Sequence, residues 1–414
     1  MRSPGSSTIF PFSCAVRFIH DTRARHITKK IRTVFFMACV FGCKTKLCKD
    51  AQCRNKFLCF FRILIVPEFV LNLKIVIPVA MQEARFYKRY DDGKVRCQLC
   101  PNDCLLGAGE TGLCGARKNI LGKLISENYG KITALHLDPI EKKPLYHFFP
   151  GTQILSAGSF GCNFKCAWCQ NCDISQADSS RFAHLSNSSP QNLFQAAFQS
   201  LGIGLAYTYN EPTVWFEFMF DTARLIAEAG MKNVVVSNGY ITTEPLGQLL
   251  YVAHAFNTDL KGFNDDFYRI HSGGSLSAVK KTLIAIARSG RHQEVTFLAI
   301  PGLNDDPQQF LEMVHWIHDE LGPDTPLHLS RYFPAWKMHE LPTPVSLLRQ
   351  FYDTARQYLQ YVYIGNVSGH PELCATRCPG CSTLMAERYG YLVRLHQTDT
   401  EGRCSQCGEK VFVM

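Results

Sequence analysis

Short apolar runs alternate with amphipathic stretches along the second half of the chain. Seven runs of strand length are rich in β-branched or aromatic residues and end in polar or glycine positions. They span residues 153–160, 204–210, 233–239, 255–260, 294–301, 326–334 and 361–367. Residues 217–230 and 275–290 carry apolar side chains at three- and four-residue intervals and stop at glycine, which predicts helices.

This alternation predicts an α/β fold of parallel β/α units. Six or seven units indicate a partial or full TIM-like barrel, in which functional residues lie at the carboxyl ends of the strands. The predicted strand ends supply polar side chains suited to a site: Asn210, Glu211, Ser237, Asn238, Asp259, Lys261, Asn304, Asp305, His328 and Arg331.

Cysteine-rich blocks flank the predicted barrel and divide the chain into four parts. We expect a basic, Cys- and Phe-rich extension at 1–80, an N-terminal four-cysteine metal-binding segment at 81–151, the barrel at 152–369 and a zinc-ribbon-like segment at 370–414. Tight groups of cysteines in a long chain without a secretory signal favour metal sites over disulfides. They also favour a cytoplasmic location.

The charge of the chain is unevenly distributed. The formal net charge is +9, but residues 1–80 hold 14 Lys and Arg against three acids. The remaining residues are close to neutral and contain no basic stripe, so we expect no nucleic-acid partner.

The extension at 1–80 contains an apolar run over residues 58–80. Arg62, Pro67, Glu68 and Lys74 interrupt it, and such residues are costly at bilayer depth. We therefore expect no membrane span. An Arg-rich transit peptide is the alternative, although the segment is long for one. We expect the functional fold to begin at Met81.

The central block, "GCNFKCAWCQN" at 161–171, places Cys162, Cys166 and Cys169 in a C-x3-C-x2-C pattern. Three thiolates on one loop can hold three irons of a 4Fe–4S cluster and leave the fourth iron open. A structural zinc site needs four closed ligands, normally from two separated pairs. Cys172 lies close enough to be a fourth ligand, but we interpret it as a bystander.

This loop, with Trp168 before the last cysteine, resembles the hallmark of the radical S-adenosylmethionine (radical SAM) enzymes. The resemblance implies that the open iron binds S-adenosylmethionine and that reductive cleavage yields a deoxyadenosyl radical that abstracts hydrogen. It also implies an electron donor such as flavodoxin or ferredoxin. The protein then supplies binding and orientation while the cofactor supplies the chemistry.

The segments "AYTYNEP", "VVVSNGY", "NTDLKGFN", "AIPGLND" and "PLHLSRYFP" are similar to the radical SAM enzyme of the AmmeMemoRadiSam system, a relative of the pyruvate formate-lyase activating enzyme. The resemblance covers nearly all of residues 81–414. It implies an oxidoreductase-like enzyme with an unknown substrate, possible partners similar to the Memo and AMMECR proteins, and, as an alternative, glycyl-radical activation of a partner protein.

The resemblance also assigns cofactor contacts. Cys162, Cys166 and Cys169 match the cluster ligands. Asn210 and Glu211 match a motif that holds the methionine amino group, and Lys261 of the Asp259-x-Lys261 pair matches a contact to its carboxylate. The further predicted contacts are Trp168, Ser237, Asn238, Asp259, His328 and Arg331.

The first cysteine block has the spacing C-x2-C-x3-C-x9-C, formed by Cys97, Cys100, Cys104 and Cys114. Four soft ligands with glycines between them suit a zinc ion or an auxiliary iron–sulfur cluster, and both remain open. The similar subgroup usually has a His after the proline, whereas Asn102 and Asp103 follow Pro101 here.

The last block has two C-x2-C pairs, Cys378 with Cys381 and Cys404 with Cys407. This arrangement predicts a structural zinc ribbon, with a rubredoxin-like iron site as the alternative. Two non-catalytic functions also account for some of the cysteines. An iron–sulfur electron-transfer protein would use the blocks as a relay, and a zinc-dependent interaction module would use the flanking pairs.

Overall fold

The computed structural model describes residues 81–414. The predicted extension at 1–80, with its apolar run, lies outside the described residues. The segment after Met81 begins with two small antiparallel sheets. One contains β1 (Tyr87–Arg89), β2 (Val95–Cys97) and β3 (Leu105–Leu106), and the other pairs β4 (Arg117–Ile120) with β5 (Lys123–Ser126).

Eight further strands form the central sheet. They are β6 (Ala134–Pro139), β7 (Gln153–Gly158), β8 (Gly204–Tyr207), β9 (Lys232–Ser237), β10 (Ala255–Asp259), β11 (His292–Ala299), β12 (Leu327–Arg331) and β13 (Val362–Gly365). The order in the sheet follows the chain from β6 to β13, and β7 to β13 are parallel. All seven predicted strands are confirmed, and the fold is α/β with a parallel sheet.

The first strand of this sheet was not predicted. β6 pairs antiparallel with β7, from Ala134 opposite Gly158 to Pro139 opposite Gln153. It belongs to the segment that the sequence assigned to metal binding. No backbone pairing joins β6 to β13 within residues 81–414, so the described sheet does not show a closed barrel.

Helices connect the parallel strands. They are α1 (Cys172–Ser175), α2 (Pro190–Gln199), α3 (Phe216–Glu228), α4 (Thr243–Val252), α5 (Asp265–Phe267), α6 (Leu276–Arg288), α7 (Pro307–Leu321) and α8 (Val345–Ala355). Side-chain caps define where several of them begin: Ser189, Ser275 and Asp306 each accept a hydrogen bond from a backbone amide of the first turn. The two predicted helices correspond to α3 and α6.

The helices bury the outer face of the sheet. Leu155, Leu205 and Tyr207 are at most 7 % exposed and pack with Phe216 and Met219 of α3. Strands covered on this face carry near-continuous apolar sequence, which explains why they were predictable. The packing fixes the strands, and the strands fix the loops at their carboxyl ends.

Residues 140–149 pack at the end of the sheet opposite the carboxyl ends of the parallel strands. This segment connects the end of β6 to the start of β7, and its Ile140, Leu145 and Phe148 pack with Ile154 and Val234. Because antiparallel β6 ends beside the first residue of β7, the segment lies at the amino-terminal end of the parallel strands. The other end remains available for a site.

The C-terminal unit is a three-stranded antiparallel sheet of β14 (Thr376–Arg377), β15 (Leu384–Tyr389) and β16 (Leu392–Leu395). Arg388 of β15 is 1 % exposed and donates hydrogen bonds to the carbonyl of Tyr146 and the hydroxyl of Thr376, both at 2.8 Å. The unit is therefore tied to residues 140–149. None of the helices within residues 81–414 has the length and apolar character needed to cross a bilayer.

Candidate active site

The three cysteines of the central block lie on one loop at the carboxyl end of β7. Gly161 has φ +91°, and a Cβ there would lie 2.5 Å from the carbonyl oxygen of Cys114, so the position requires glycine. The amide of Cys169 donates to the carbonyl of Cys166 at 3.2 Å and closes a turn. Cys166 is buried, and Cys162 is half-buried. The loop thus presents three thiols from one short segment.

Hydrogen-bonding groups surround these sulfurs. The amide of Phe164 donates to Cys162 Sγ at 3.4 Å, and Asn238 Nδ2 lies 3.8 Å from the same sulfur. Cys169 Sγ is 3.1 Å from Ser175 Oγ. Burial raises the pKa of the Cys162 thiol well above its usual range, so the sulfur becomes a thiolate when a metal binds it. Donors aimed at sulfur are the environment expected around ligands of an iron–sulfur cluster.

Glu211 links the loop after β8 to the end of β9. Its carboxylate is 3 % exposed and accepts hydrogen bonds from the amide of Thr213 at 3.0 Å, the hydroxyl of Ser237 at 2.9 Å and the amide of Asn238 at 2.8 Å. Burial raises the pKa of Glu211, while the two amides oppose that shift. The carboxylate therefore fixes the turn that carries Asn238 towards Cys162.

Asn210 braces the cysteine loop directly. Its Oδ1 accepts from the amide of Ser159 at 3.0 Å, and its Nδ2 donates to the carbonyl of Gly161 at 2.8 Å. Both partners lie just before the first cysteine in the chain. Asn210 is buried, and both ends of its amide are bonded to backbone. The side chain holds β7 and β8 in the geometry that the loop needs.

Asp259 and Lys261 bring charge to the same edge of the sheet. Asp259 is the last residue of β10, and its Oδ2 is 2.9 Å from Lys261 Nζ. Burial acts to lower the pKa of Lys261, but Asp259 and Cys166 outweigh it and raise that pKa. Lys261 stays protonated beside the cysteine loop. It can therefore bind an anionic group.

Comparison with known proteins agrees with this arrangement. The family described as "Radical SAM superfamily" matches residues 158–317, a range that begins at the end of β7 and includes the cysteine loop. Residues 158–317 therefore form a radical SAM domain. The chain is also 43% identical over 337 residues to the uncharacterized protein MJ0808 of Methanocaldococcus jannaschii, which covers 81% of this chain and 100% of that protein.

Two solved structures are also similar in part. A domain of pyruvate-formate lyase-activating enzyme from Bacteroides vulgatus has 16% identity and a TM-score of 0.35, covering 39% of this chain and 98% of that chain. SuiB of Streptococcus suis, solved with S-adenosylmethionine, has 12% identity and a TM-score of 0.41, covering 50% and 48%. The assignment of the radical SAM domain does not depend on either structure.

A radical SAM domain implies a 4Fe–4S cluster and S-adenosylmethionine. The cysteine loop fits the cluster, since it supplies three thiols with nearby hydrogen-bond donors. Cys172 begins α1, outside the three-cysteine turn. The contacts that the sequence assigned to S-adenosylmethionine stay predictions.

Two of these predicted contacts of the radical SAM site have protein partners. Trp168 is 5 % exposed and packs on Phe267 with ring centroids 5.6 Å apart. Arg331 ends β12, and its Nε donates to the carbonyl of Thr343 at 2.8 Å. Trp168 thus contributes to the packing of the loop, and Arg331 to the loop after β12.

His328 lies elsewhere. It is the second residue of β12, not a strand-end residue, and its Nε2 is 2.6 Å from Glu294 Oε2. Glu294 also accepts hydrogen bonds from the amides of Tyr146 and His147. These residues belong to the segment at the amino-terminal end of the strands. The structure therefore places His328 in a buried polar network away from the radical SAM loop, where the sequence had expected a cofactor or substrate contact.

One residue of the radical SAM site was overlooked as a contributor. Asn163 follows the first cysteine, and its Nδ2 donates to the carbonyl of Tyr240 at 2.7 Å. Its Oδ1 accepts from Asn238 Nδ2 at 2.8 Å, and its carbonyl accepts from Asn102 Nδ2 at 3.0 Å. The sequence signal that could have identified Asn163 was an amide side chain inside the loop of cysteine ligands.

The C-terminal cysteines form a compact group. The Sγ atoms of Cys378, Cys381, Cys404 and Cys407 all lie within 4.8 Å of one another. Cys378 and Cys407 are 3.4 Å apart, and Cys381 and Cys404 are 3.6 Å apart. Tetrahedral ligands at the Zn–S length of about 2.3 Å are separated by about 3.8 Å. The group can therefore hold a single metal ion, and its identity as zinc stays a prediction.

The N-terminal cysteines line one cavity. Cys97, Cys100 and Cys114 are buried, Cys104 is half-buried, and all four face the same space together with Arg117. The structure therefore brings together the four residues that the sequence grouped. The cavity is directly adjacent to the radical SAM loop, because the amide of Cys162 donates to the carbonyl of Cys114 at 3.1 Å.

Proposed function

We propose that this chain is an enzyme that cleaves S-adenosylmethionine reductively with a 4Fe–4S cluster held by Cys162, Cys166 and Cys169. The resulting radical abstracts hydrogen from a substrate. The observation that carries the proposal is a three-thiol loop at the carboxyl end of β7 within a radical SAM match. When bound there, a 4Fe–4S cluster supplies the electron that breaks the carbon–sulfur bond and releases a deoxyadenosyl radical.

The residues of the chain hold this site in shape. Asn210 braces the loop, and Glu211 fixes Asn238 beside Cys162. Protonated Lys261 is suited to the methionine carboxylate. Asn210 and Glu211 are the proposed partners of the amino group, although their side chains also bind the protein. Buried Phe164, Cys166 and Trp168 limit access of water to one side of the loop.

The biological setting is a further part of the proposal. The motif resemblance supports a place in the AmmeMemoRadiSam system, with Memo-like and AMMECR-like partners and a flavodoxin or ferredoxin as donor. Glycyl-radical activation of a partner protein is the second candidate within the enzyme class. A purely electron-transferring protein is the third, but it gives no role to the Lys261–Asp259 pair beside the loop.

An anaerobic assay tests the proposal. The protein is reconstituted with iron and sulfide, mixed with dithionite and S-adenosylmethionine, and analysed for deoxyadenosine and methionine. We expect both products from the wild type and neither from Cys166→Ala. Cys172→Ala is the matched control, since it removes a neighbouring thiol outside the three-cysteine pattern and should retain cleavage. Fully clustered wild-type protein that yields no deoxyadenosine would refute the enzymatic proposal.

A further inference from the structure

Arg117 places a buried positive charge at the cavity of the N-terminal cysteines. It is 1 % exposed and lines the cavity with Cys97, Cys100, Cys104 and Cys114. Its Nη2 binds the carboxylate of Glu217 and the carbonyl of Arg85. Its Nε and Nη1 have no hydrogen-bond partner among the described residues. Buried N–H groups without partners are costly, which indicates that the cavity takes an anionic occupant.

The thiols themselves suit such an occupant. Thiols lose their protons when a metal binds them. Four thiolates outweigh the positive charge of a zinc ion or of an iron–sulfur core, so either ligated metal group is anionic and would satisfy Arg117.

The spacing of the sulfur atoms distinguishes a zinc ion from an iron–sulfur cluster. In residues 81–414, the C-terminal cysteines are the one group of three or more Cys, His, Asp or Glu whose ligand atoms all lie within 4.8 Å. The N-terminal sulfurs share a cavity but are spread more widely. A single ion draws four thiolates to one centre, whereas a cluster distributes them over several irons. The spacing favours a cluster.

A hydrogen bond joins the N-terminal site to the radical SAM loop through one cysteine of each site. The amide of Cys162 donates to the carbonyl of Cys114 at 3.1 Å, and Asn102 Nδ2 donates to the carbonyl of Asn163 at 3.0 Å. At Gly161, the absence of a side chain allows this close approach. One hydrogen bond therefore separates the backbones of two metal-ligating cysteines.

We infer that Cys97, Cys100, Cys104 and Cys114 hold an auxiliary iron–sulfur cluster that passes electrons to the radical SAM loop through the Cys114–Cys162 contact. Four protein ligands leave it no open iron, so it serves electron transfer and not S-adenosylmethionine binding. A low-potential one-electron donor, such as reduced flavodoxin, loses one electron at this site, and the loop site gains that electron. The inference rests on the proposed function for the destination of the electron.

Metal content tests the occupant without any assay of activity. In Cys162→Ala/Cys166→Ala/Cys169→Ala, the loop cannot hold its cluster. After anaerobic reconstitution we expect about two to four irons per chain, matching sulfide and an electron paramagnetic resonance signal on reduction. Adding Cys97→Ala and Cys100→Ala should abolish this iron, the matching sulfide and the electron paramagnetic resonance signal. A triple variant that contains zinc in place of iron, or no metal beyond the C-terminal site, would overturn the inference.

Reduction kinetics test the route. Photoreduced flavodoxin is mixed with wild type and with Cys97→Ala/Cys100→Ala, and reduction of the loop cluster is followed by freeze-quench spectroscopy. We expect the variant to retain the loop cluster but lose the fast phase of its reduction. Cys374→Ala, which removes a thiol outside both sites, is the control. Equal rates in the variant and wild type would contradict the relay.

The charge of Arg117 offers an independent check. Arg117→Met combined with Glu217→Gln removes both buried charges, so neither is left unpaired. We expect the iron content of the triple loop variant to persist and the reduction potential of the remaining cluster to become more negative. An unchanged potential would show that Arg117 does not face the cluster and would count against the assignment. Failure of wild-type S-adenosylmethionine cleavage would instead refute the proposed function while leaving the iron result intact.

Discussion

Asn238 is the residue whose single side chain connects the end of β9 to the cysteine loop. Its Nδ2 is shared between Cys162 Sγ and Asn163 Oδ1. Its own Oδ1 accepts from the amide of Tyr240 at 2.9 Å. It therefore acts both on the electrostatics of a sulfur ligand and on the shape of the loop.

We expect Asn238→Ala to change both properties. Loss of the donor at Cys162 should make the reduction potential of the loop cluster more negative, because hydrogen bonds to sulfur stabilise the reduced state. Loss of the donor to buried Asn163 should lower the free energy of unfolding by about 1–3 kcal/mol. A redox titration and chemical denaturation measure the two effects. Asn192→Ala, at an exposed helix position, should alter neither; an unchanged potential in Asn238→Ala would contradict its role.

The individual site residues differ in how well the sequence located them. The cysteines were unambiguous because their spacing carries the chemistry. His328 was expected at a strand end, whereas β12 spans Leu327–Arg331 and puts His328 near its start. The hydrogen-bond partners of Arg117 were inaccessible to sequence reasoning, since Arg85 and Glu217 lie 32 and 100 positions away.

At the scale of elements, strand prediction depended on burial. β7 to β13 are long or apolar enough to be recognised, because their outer face is covered by helices. β6 escaped because its Leu135 and Leu137 are more than 40 % exposed and its alternate residues are polar. This alternation is short and forms no apolar run, and the structure places β6 through its pairing with β7.

The segment between β6 and β7 contains a buried histidine that should make the stability of the fold depend on pH. His147 Nδ1 is 2.8 Å from the carbonyl of Val411, and Nε2 is 2.6 Å from Tyr363 Oη. The carbonyl can only accept, so the neutral ring donates from Nδ1 and accepts at Nε2. Burial lowers the pKa of His147 to about 3, against an opposing effect of Glu294.

This shift predicts acid sensitivity. The unfolded chain takes up a proton at His147 below about pH 6.5, whereas the folded chain does not until about pH 3, so stability falls as pH decreases through that window. Between pH 7 and 5.5 the loss should be about 1 kcal/mol. Urea unfolding at the two pH values measures it. His147→Gln should show a shallower pH dependence, and an undiminished slope would rule His147 out as its source.

The C-terminal unit contains a four-cysteine group that can hold a metal ion. We expect Cys378→Ala to remove about one metal ion per chain and to lower the melting temperature, because structural zinc sites contribute directly to folding. Cys374→Ala is the matched control, since its Sγ donates to the carbonyl of Ile364 and lies outside the four-cysteine group. Elemental analysis measures the effect. Iron in place of zinc in the wild-type unit would contradict the zinc-ribbon prediction.

At the scale of the whole molecule, the three cysteine groups lie at different ends of the central sheet. The N-terminal group contacts the loop at β7 through Cys114, and the C-terminal unit contacts the far end of the sheet through Arg388. The loop and the N-terminal group are thus adjacent, while the C-terminal unit contacts the segment at the amino-terminal end of the strands.

All the ligands in these groups lie between residues 81 and 414, and this predicts the behaviour of a shortened chain. A variant that begins at Met81 should retain the iron content, the fast phase of reduction and the cleavage of S-adenosylmethionine, because every contact used above belongs to the described residues. Its net charge falls from +9 to −2, since the residues removed carry 14 Lys and Arg and three acids, so it should elute differently in ion exchange without losing cofactor. Iron analysis and deoxyadenosine formation, compared with the full chain at equal concentration, measure the outcome. A loss of iron or of cleavage would show that residues 1–80 contribute to the working protein.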